Sequence, residues 1–318
     1  MIWVKRHLRL TFVGLFLFLV CYMVYERVFG ARKIKHSDRY ISLLKQDLAR
    51  FGAQNQTENP VVLNFRRKNS EKPGGLTIIN NKQYVIPRNA SYADVENEFF
   101  RYVEDKDVLC ANDVRLGAQH DGGWNVCMSP PFKLKHPCLV YSFGIRKTEY
   151  NRTDKIHFKP YGLGSRRDMK TTDSSWTYKT LYQHLKDESH LKSTIDYLKF
   201  DIEYKEWDVI PNLIQDNVLS NVKQIGFEFH LQVPPLTVDW DQGVSEMDFI
   251  EKLKILDSLY EVGFRKFNYR LNPFCMYKSV VTEKSRSKCY EMHFVNLDFI
   301  ETKHLEKDSF THEQGDVR

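Results

Sequence analysis

From Leu10 to Tyr25 the chain is apolar and carries no charge. Lys5, Arg6 and Arg9 precede the run, and Glu26 and Arg27 follow it. Extended to Val28 and Phe29, with Glu26 and Arg27 snorkelling, it reaches the ~20 residues that a membrane-spanning helix needs. The pattern predicts an uncleaved N-terminal transmembrane helix over 10–29. A signal peptide cut after Val28-Phe29-Gly30 is the alternative, disfavoured by the charged pair beside the cut. Next, Ile41, Leu44, Leu48 and Phe51 recur at helical spacing and predict a short amphipathic stem helix. Residues 52–75 are polar, with Asn, Pro and Gly and no sustained period, and read as a linker. A helix is predicted to begin at Ser91, with Asp94 three residues on as a capping box and Val95, Phe99 and Tyr102 as its buried stripe.

The pattern then alternates between short apolar runs and amphipathic stretches. Cys138 to Ile145, Ile195 to Ile202 and Ile225 to Leu231 suit buried strands. Glu206 to about Asn217 reads as a helix in which Pro211 must sit in the first turn or introduce a kink. Met247 to Val262 is a stronger helix, with Phe249, Leu253, Leu256 and Tyr260 on one face and Gly263 closing it. Phe264 to Tyr269 and Tyr290 to Asn296 follow as strands. Strands alternating with helices predict a three-layer α/β fold with a mostly parallel, Rossmann-like sheet. The last two strands have no helix between them and are expected to pair antiparallel. The chain therefore divides into a cytosolic tail (1–9), the anchor (10–29), stem and linker (30–90), a globular domain (91–300) and a charged tail (301–318).

Composition adds the compartment. A chain of 318 residues, 42% hydrophobic and 14% aromatic, is long and apolar enough for a real core, so wholesale disorder is excluded. The net charge of +6 is modest and scattered, and no nucleic-acid surface is read from it. Arg27, Arg32, Lys33, Lys35 and Arg39 follow the apolar run, so local charge does not favour a cytosolic N-terminus. Other signals do favour a lumenal or extracellular domain, as in a single-pass type II protein of the Golgi or endoplasmic reticulum. Asn55, Asn89 and Asn151 each open an N-glycosylation acceptor. Cys110, Cys127, Cys138, Cys275 and Cys289 lack zinc-ligand spacing, and disulfides in an oxidising compartment explain them better.

In an open α/β sheet, ligands lie at the carboxyl ends of the strands. Those ends offer Ser142 and Gly144, then Asp201 and Glu203, then Glu228 and His230. Each has a plainer alternative. Gly144 can be a turn, the two acids can be solvated at a helix N-terminus, and His230 can be a satisfied structural histidine. Glu228 is costly in a sheet buried on both faces unless something pairs with it.

The ordered set of motifs resembles the FkbM-type and animal methyltransferase-like proteins. It comprises Arg115-Leu-Gly117, Asp121-Gly-Gly-Trp124, Cys127, Cys138-Leu-Val-Tyr-Ser-Phe-Gly-Ile145, Asp196-Tyr-Leu-Lys-Phe-Asp-Ile-Glu203, Glu206-Trp207, Phe227-Glu-Phe-His230 and Cys289-Tyr-Glu-Met-His-Phe-Val-Asn296. The resemblance spans about 108–296. It implies a class I methyltransferase fold that binds S-adenosylmethionine. Ser142, Gly144 and Asp201 would then bind the cofactor, and Asp201, Glu203 and His230 would carry the chemistry. No metal is expected, and the acceptor is open: a small molecule, a glycan or a protein.

The chain departs from that family at two points. The helix and second strand that follow the Ser-Phe-Gly-Ile motif, the strand ending in an acid for the ribose hydroxyls, are missing; Ile156 to Gly164 resembles the third strand instead. Tyr204 stands where the Asp-x-Glu-Gly-x-Glu-Trp pattern has glycine. The absent segment normally brings a cysteine, so the five remaining are odd in number. Cys275–Cys289 and Cys110–Cys127 are the expected disulfides, leaving Cys138 free, and the first is worth about 3 kcal/mol. Two other functions compete: a catalytically inactive binding protein of the same fold, and a Golgi glycosyltransferase using Asp239-Trp-Asp241 for a metal and a nucleotide sugar. The triplet follows Val233-Pro-Pro235 and has turn chemistry as its plainer reading.

Overall fold

A computed structural model describes residues 75–79, 86–87, 89–119, 123–134, 139–143, 155–169, 177–231 and 244–300, and the backbone alone at 22–23, 63–65, 84–85 and 170. The helix expected near 41–51, Asn55, Asn151, Cys138, Gly144, the Asp239–Asp241 triplet and the charged tail lie outside these residues. So does the expected anchor, apart from Tyr22–Met23. Those two residues form a short strand against Thr194–Ile195 where the sequence predicts membrane helix. Their backbone groups are paired with a neighbouring segment instead of within a helical turn. Among the described residues no helix is long and apolar enough to cross a membrane.

Paired structure begins before residue 91. Leu76–Ile78 lies antiparallel to Val108–Cys110, Leu63–Phe65 pairs with Tyr84–Ile86, and Leu76 is buried. Strands of three residues carry too little alternation to stand out from a linker. Helix α1 (Tyr92–Val103) starts as its sequence predicts: Ser91 Oγ accepts from Asp94 N at 3.2 Å and Asp94 accepts from Ser91 N at 3.0 Å. Val95, Phe99 and Tyr102 are buried, and Phe100 and Val103 widen the stripe. At its other end the buried Lys266 ammonium donates to the Tyr102 and Val103 carbonyls, placing a cation at the negative pole of the helix.

Two groups of strands follow. β1 (Val140–Phe143) and β2 (Ile156–Lys159) run parallel, with Ser142 opposite Phe158. The short pair Gly162–Leu163 and Tyr178–Lys179 leads into helix α2 (Leu181–Asp187), capped by Thr180. The second group is β3 (Leu198–Asp201), β4 (Gln224–His230), β5 (Phe264–Leu271) and β6 (Cys289–Asn296), arranged in the order β3-β4-β6-β5. Helix α3 (Glu206–Gln215) joins β3 to β4, and helix α4 (Glu246–Glu261) precedes β5. Pro211 sits inside α3, beyond its first turn. Gly263 takes a φ of +99° immediately after α4 closes, the left-handed conformation expected of a helix-ending glycine.

The four-stranded sheet is mixed, not mostly parallel. Only β3 and β4 run parallel; β6 is antiparallel to both of its neighbours. The reason lies in the connection. Between β5 and β6 the chain makes a hairpin, Met276–Lys278 with Ser285–Ser287, and no crossover helix, so β6 returns antiparallel and inserts between β4 and β5.

Register sorts the strand residues onto two faces. One is apolar: Leu198 and Phe200, Ile225, Phe227 and Phe229, then Tyr290, Met292 and Phe294, all buried. Phe200, Phe227 and Phe294 stack across three strands at 5.2 and 5.7 Å, and α1, α3 and α4 close over them through Phe99, Trp207 and Phe249. The opposite face carries Lys199 and Asp201, Gly226, Glu228 and His230, then Cys289, Glu291 and His293. It is covered in part by the hairpin Asp113–Leu116 with Trp124–Cys127. Gln224 holds that hairpin down through Cys127 N at 2.8 Å and Cys127 O at 3.1 Å. Trp124 stacks on the Lys199 ammonium, and the Arg115 guanidinium makes two bonds to Glu291. Both expected disulfides are formed: Cys110–Cys127 ties the hairpin to the preceding strand, and Cys275–Cys289 ties the β5–β6 connection to the start of β6.

Candidate functional site

Parallel pairing of β3 and β4 sets Asp201 opposite Glu228, with His230 one alternate position further along the same face. The chain then leaves β3 through Ile202, Glu203 and Tyr204 and enters α3 at Glu206. Three of the predicted site residues are thereby brought together, His230 reaching Asp201 and Glu203 from a distant part of the sequence. The His230 ring lies between two carboxylates: Nδ1 is 3.5 Å from Glu206 and Nε2 is 3.7 Å from Glu203. Glu203 is largely exposed, whereas Glu206 is fully buried and its Oε1 accepts the Ile202 N–H at 2.9 Å. Trp207 Nε1 donates to the His230 carbonyl at 2.7 Å, which fixes α3 to the end of β4.

Residues 203 and 204 turn this corner with φ values of +55° and +78°. Side-chain-bearing residues rarely adopt that region, and a glycine does so without cost. The motif that the sequence resembles has glycine at the second of these positions; here Tyr204 adopts the conformation. The corner is braced by the bond from Ile202 N to Glu206 and by an ion pair from Lys205 to Asp168.

The electrostatics follow from burial and crowding. Burial pushes the Asp201 carboxyl up to about 8; Glu228 and Glu206 add to the rise, while Lys199 and His230 oppose it. For His230, burial acts downward, but Glu206, Asp201 and Glu203 outweigh it and hold the ring up at about 9. Three atoms in this cluster are excluded from water with no hydrogen-bond partner: Asp201 Oδ1, Glu206 Oε2 and His230 Nδ1. Glu228 accepts from Asn272 Nδ2 at 2.8 Å, the kind of partner its buried position requires.

The remaining predicted residues fall elsewhere. Ser142 is buried in β1, part of the separate β1–β2 pair, and Gly144 lies outside the described residues. β1 is lined by histidines that the sequence did not single out. The His184 ring lies 4.0 Å from the Phe143 ring, and burial brings it down to about 4; His190 Nε2 is 2.6 Å from the Tyr141 hydroxyl. Asn89 is exposed at the turn before α1. Sequence reading also missed Lys199, Glu291, His293 and Arg115 as members of one buried polar face. The signal was partial: Lys199 and Asp201, Gln224, Glu228 and His230, and Glu291 and His293 stand at alternate positions, interrupted by Gly226 and Cys289.

The cofactor implied by the resemblance can be set against these groups. S-adenosylmethionine carries an ammonium and a sulfonium, and the unpartnered Asp201 Oδ1 at a strand's carboxyl end suits a cationic ligand. At the ribose end the match is poorer. The strand beside β1 ends in Lys159, whose ammonium lies 2.8 Å from Glu188, and not in an acid.

Carboxylates and an imidazole gather at the carboxyl ends of two parallel strands of an α/β protein, the place where such sheets commonly bind ligands. The comparisons with known proteins sharpen that class. Residues 146–296 match the family model described as a methyltransferase domain, a match that includes Asp201, Glu203, Glu206 and His230 but begins after Ser142 and Gly144. Two relatives carry the name "Probable methyltransferase-like protein 24". The one from Homo sapiens is 24% identical over 242 residues, covering 62% of this chain and 63% of its own; the one from Rattus norvegicus is 24% identical over 238 residues, covering 63% and 64%. This chain thus spans less than two thirds of the length of either. No solved structure matches. Over these residues the chain is similar to methyltransferase-like proteins.

Proposed function

We propose that the chain is an S-adenosylmethionine-dependent methyltransferase of the secretory pathway, acting on a hydroxyl of a glycan or protein. Asp201 carries the reading: a carboxylate at the carboxyl end of a parallel strand, within the matched region, with an oxygen withdrawn from water and unpartnered. When bound, the cofactor supplies an electrophilic methyl group, and the chain's own task is alignment. Asp201 and Glu203 line the pocket at the end of β3 and orient the acceptor hydroxyl. His230 balances the charge of the acids around it. Trp207 keeps the two strand ends in register. The apolar N-terminal run directs the chain into an oxidising compartment, where Cys110–Cys127 and Cys275–Cys289 persist.

A second reading is favoured by Lys159 and Tyr204, which replace the two features best suited to gripping a nucleoside: an inactive binding protein of the same fold. Calorimetry with S-adenosylhomocysteine separates the two. Saturable heat that disappears in Asp201→Ala supports the enzyme. The absence of heat at millimolar ligand supports the binding protein.

A further inference from the structure

We infer that Asp201, Glu206 and His230 form a binding site for one divalent transition cation, of the Mn2+ or Zn2+ type. Two independent observations converge. First, a carboxylate oxygen from each acid and a ring nitrogen of His230 all lie within 4.8 Å of one another. A cation about 2.1 Å from each needs only small side-chain rotations to reach all three. Secondly, each of the three side chains has a buried polar atom without a hydrogen bond, although His230 Nδ1 also faces Glu206 Oε1 at 3.5 Å. Asp201 Oδ1, Glu206 Oε2 and His230 Nδ1 are each out of contact with water, and none has a hydrogen bond. Glu206 is fully buried and His230 is nine-tenths buried, so solvent does not make up the deficit.

The surroundings suit a metal site in two further ways. Glu206 Oε1 remains bonded to the Ile202 N–H, which fixes the carboxylate while leaving Oε2 free, the usual arrangement of a ligand steadied by its own partner. Glu203 stands on the His230 Nε2 side, 3.7 Å away, as an acceptor for the second ring nitrogen. One imidazole with two carboxylates is a mixed donor set that suits Mn2+ or Zn2+ better than the oxygen cages preferred by Ca2+. A neighbouring trio, Glu228, His230 and Cys289, is closed to a metal because the Cys289 sulfur is already bonded to Cys275.

This inference goes beyond the methyl-transfer reading and is tested without any adenosyl ligand, so either can fail alone. The full-length chain, purified in detergent and stripped with chelator, is titrated with Mn2+ alone while free Mn2+ is followed by its paramagnetic resonance signal, and with Zn2+ alone against a chelating dye. One saturable equivalent is expected, and the bound Mn2+ should show nitrogen coupling from a single imidazole, a readout that needs no variant. Asp201→Asn and His230→Gln should each weaken binding at least tenfold. Asp208→Asn, an exposed carboxylate on α3 outside the trio, should leave it unchanged. Absence of a saturable equivalent, bound Mn2+ without nitrogen coupling, or binding undiminished in both folded variants overturns the assignment.

Discussion

At the residue scale the most telling position is Tyr204. Its φ of +78° belongs to glycine, and the preceding Glu203 is also left-handed. The ring contributes to the core edge, and the Lys252 ammonium sits 5.5 Å from it. Losing the ring and relieving the backbone therefore act in opposite directions, and one substitution cannot separate them. Two can. Tyr204→Gly and Tyr204→Ala remove the same ring and differ only in whether a Cβ remains at a left-handed position. The glycine variant should be more stable than the alanine variant by about 1 kcal/mol in urea denaturation. Equal stabilities would mean that the corner is not strained.

At the element scale, the polar face of the sheet depends on a close approach. A Cβ placed on Gly226 would lie 2.1 Å from the Tyr197 hydroxyl oxygen and 3.2 Å from the Trp124 ring. Tyr197 donates to the Asn125 carbonyl at 3.1 Å, so it joins the covering hairpin to the face that Gly226 leaves open. Gly226→Ala should cost about 1–3 kcal/mol, the usual range for overpacking a filled core. In a Tyr197→Phe background the closest contact is gone, and the same substitution should cost clearly less. A double-mutant cycle on unfolding free energies measures this coupling, and strict additivity would rule out the contact as the cause.

Much at this scale was legible in the sequence. The capping box at Ser91 and Asp94, the burial of Val95, Phe99 and Tyr102, and the glycine closing α4 are short-range features, and each is present. The disulfides were also read correctly, the Cys275–Cys289 pair from its place across the final strand connection. What escaped was sheet order. That β6 inserts between β4 and β5 depends on pairing between distant segments, which no local period encodes. The polar face escaped for a related reason. Glu228 was expected to need a partner, but Lys199 and Glu291 look like solvated charges until register places them on its face under Trp124 and Arg115.

For the whole molecule, the proposed function puts its ligand at the carboxyl ends of β3 and β4. Asp201, Glu203 and His230 were nameable from sequence because strand ends are where α/β sheets bind. Glu206 was visible only as part of a family motif. Its burial and its empty oxygen emerge from the fold, which turns α3 back against His230. The most direct test is hydrogen–deuterium exchange of the full-length chain with and without saturating S-adenosylhomocysteine. Exchange should slow in peptides covering 139–143 and 198–207. Unchanged exchange across 198–207, or protection confined to other parts of the chain, would contradict that placement.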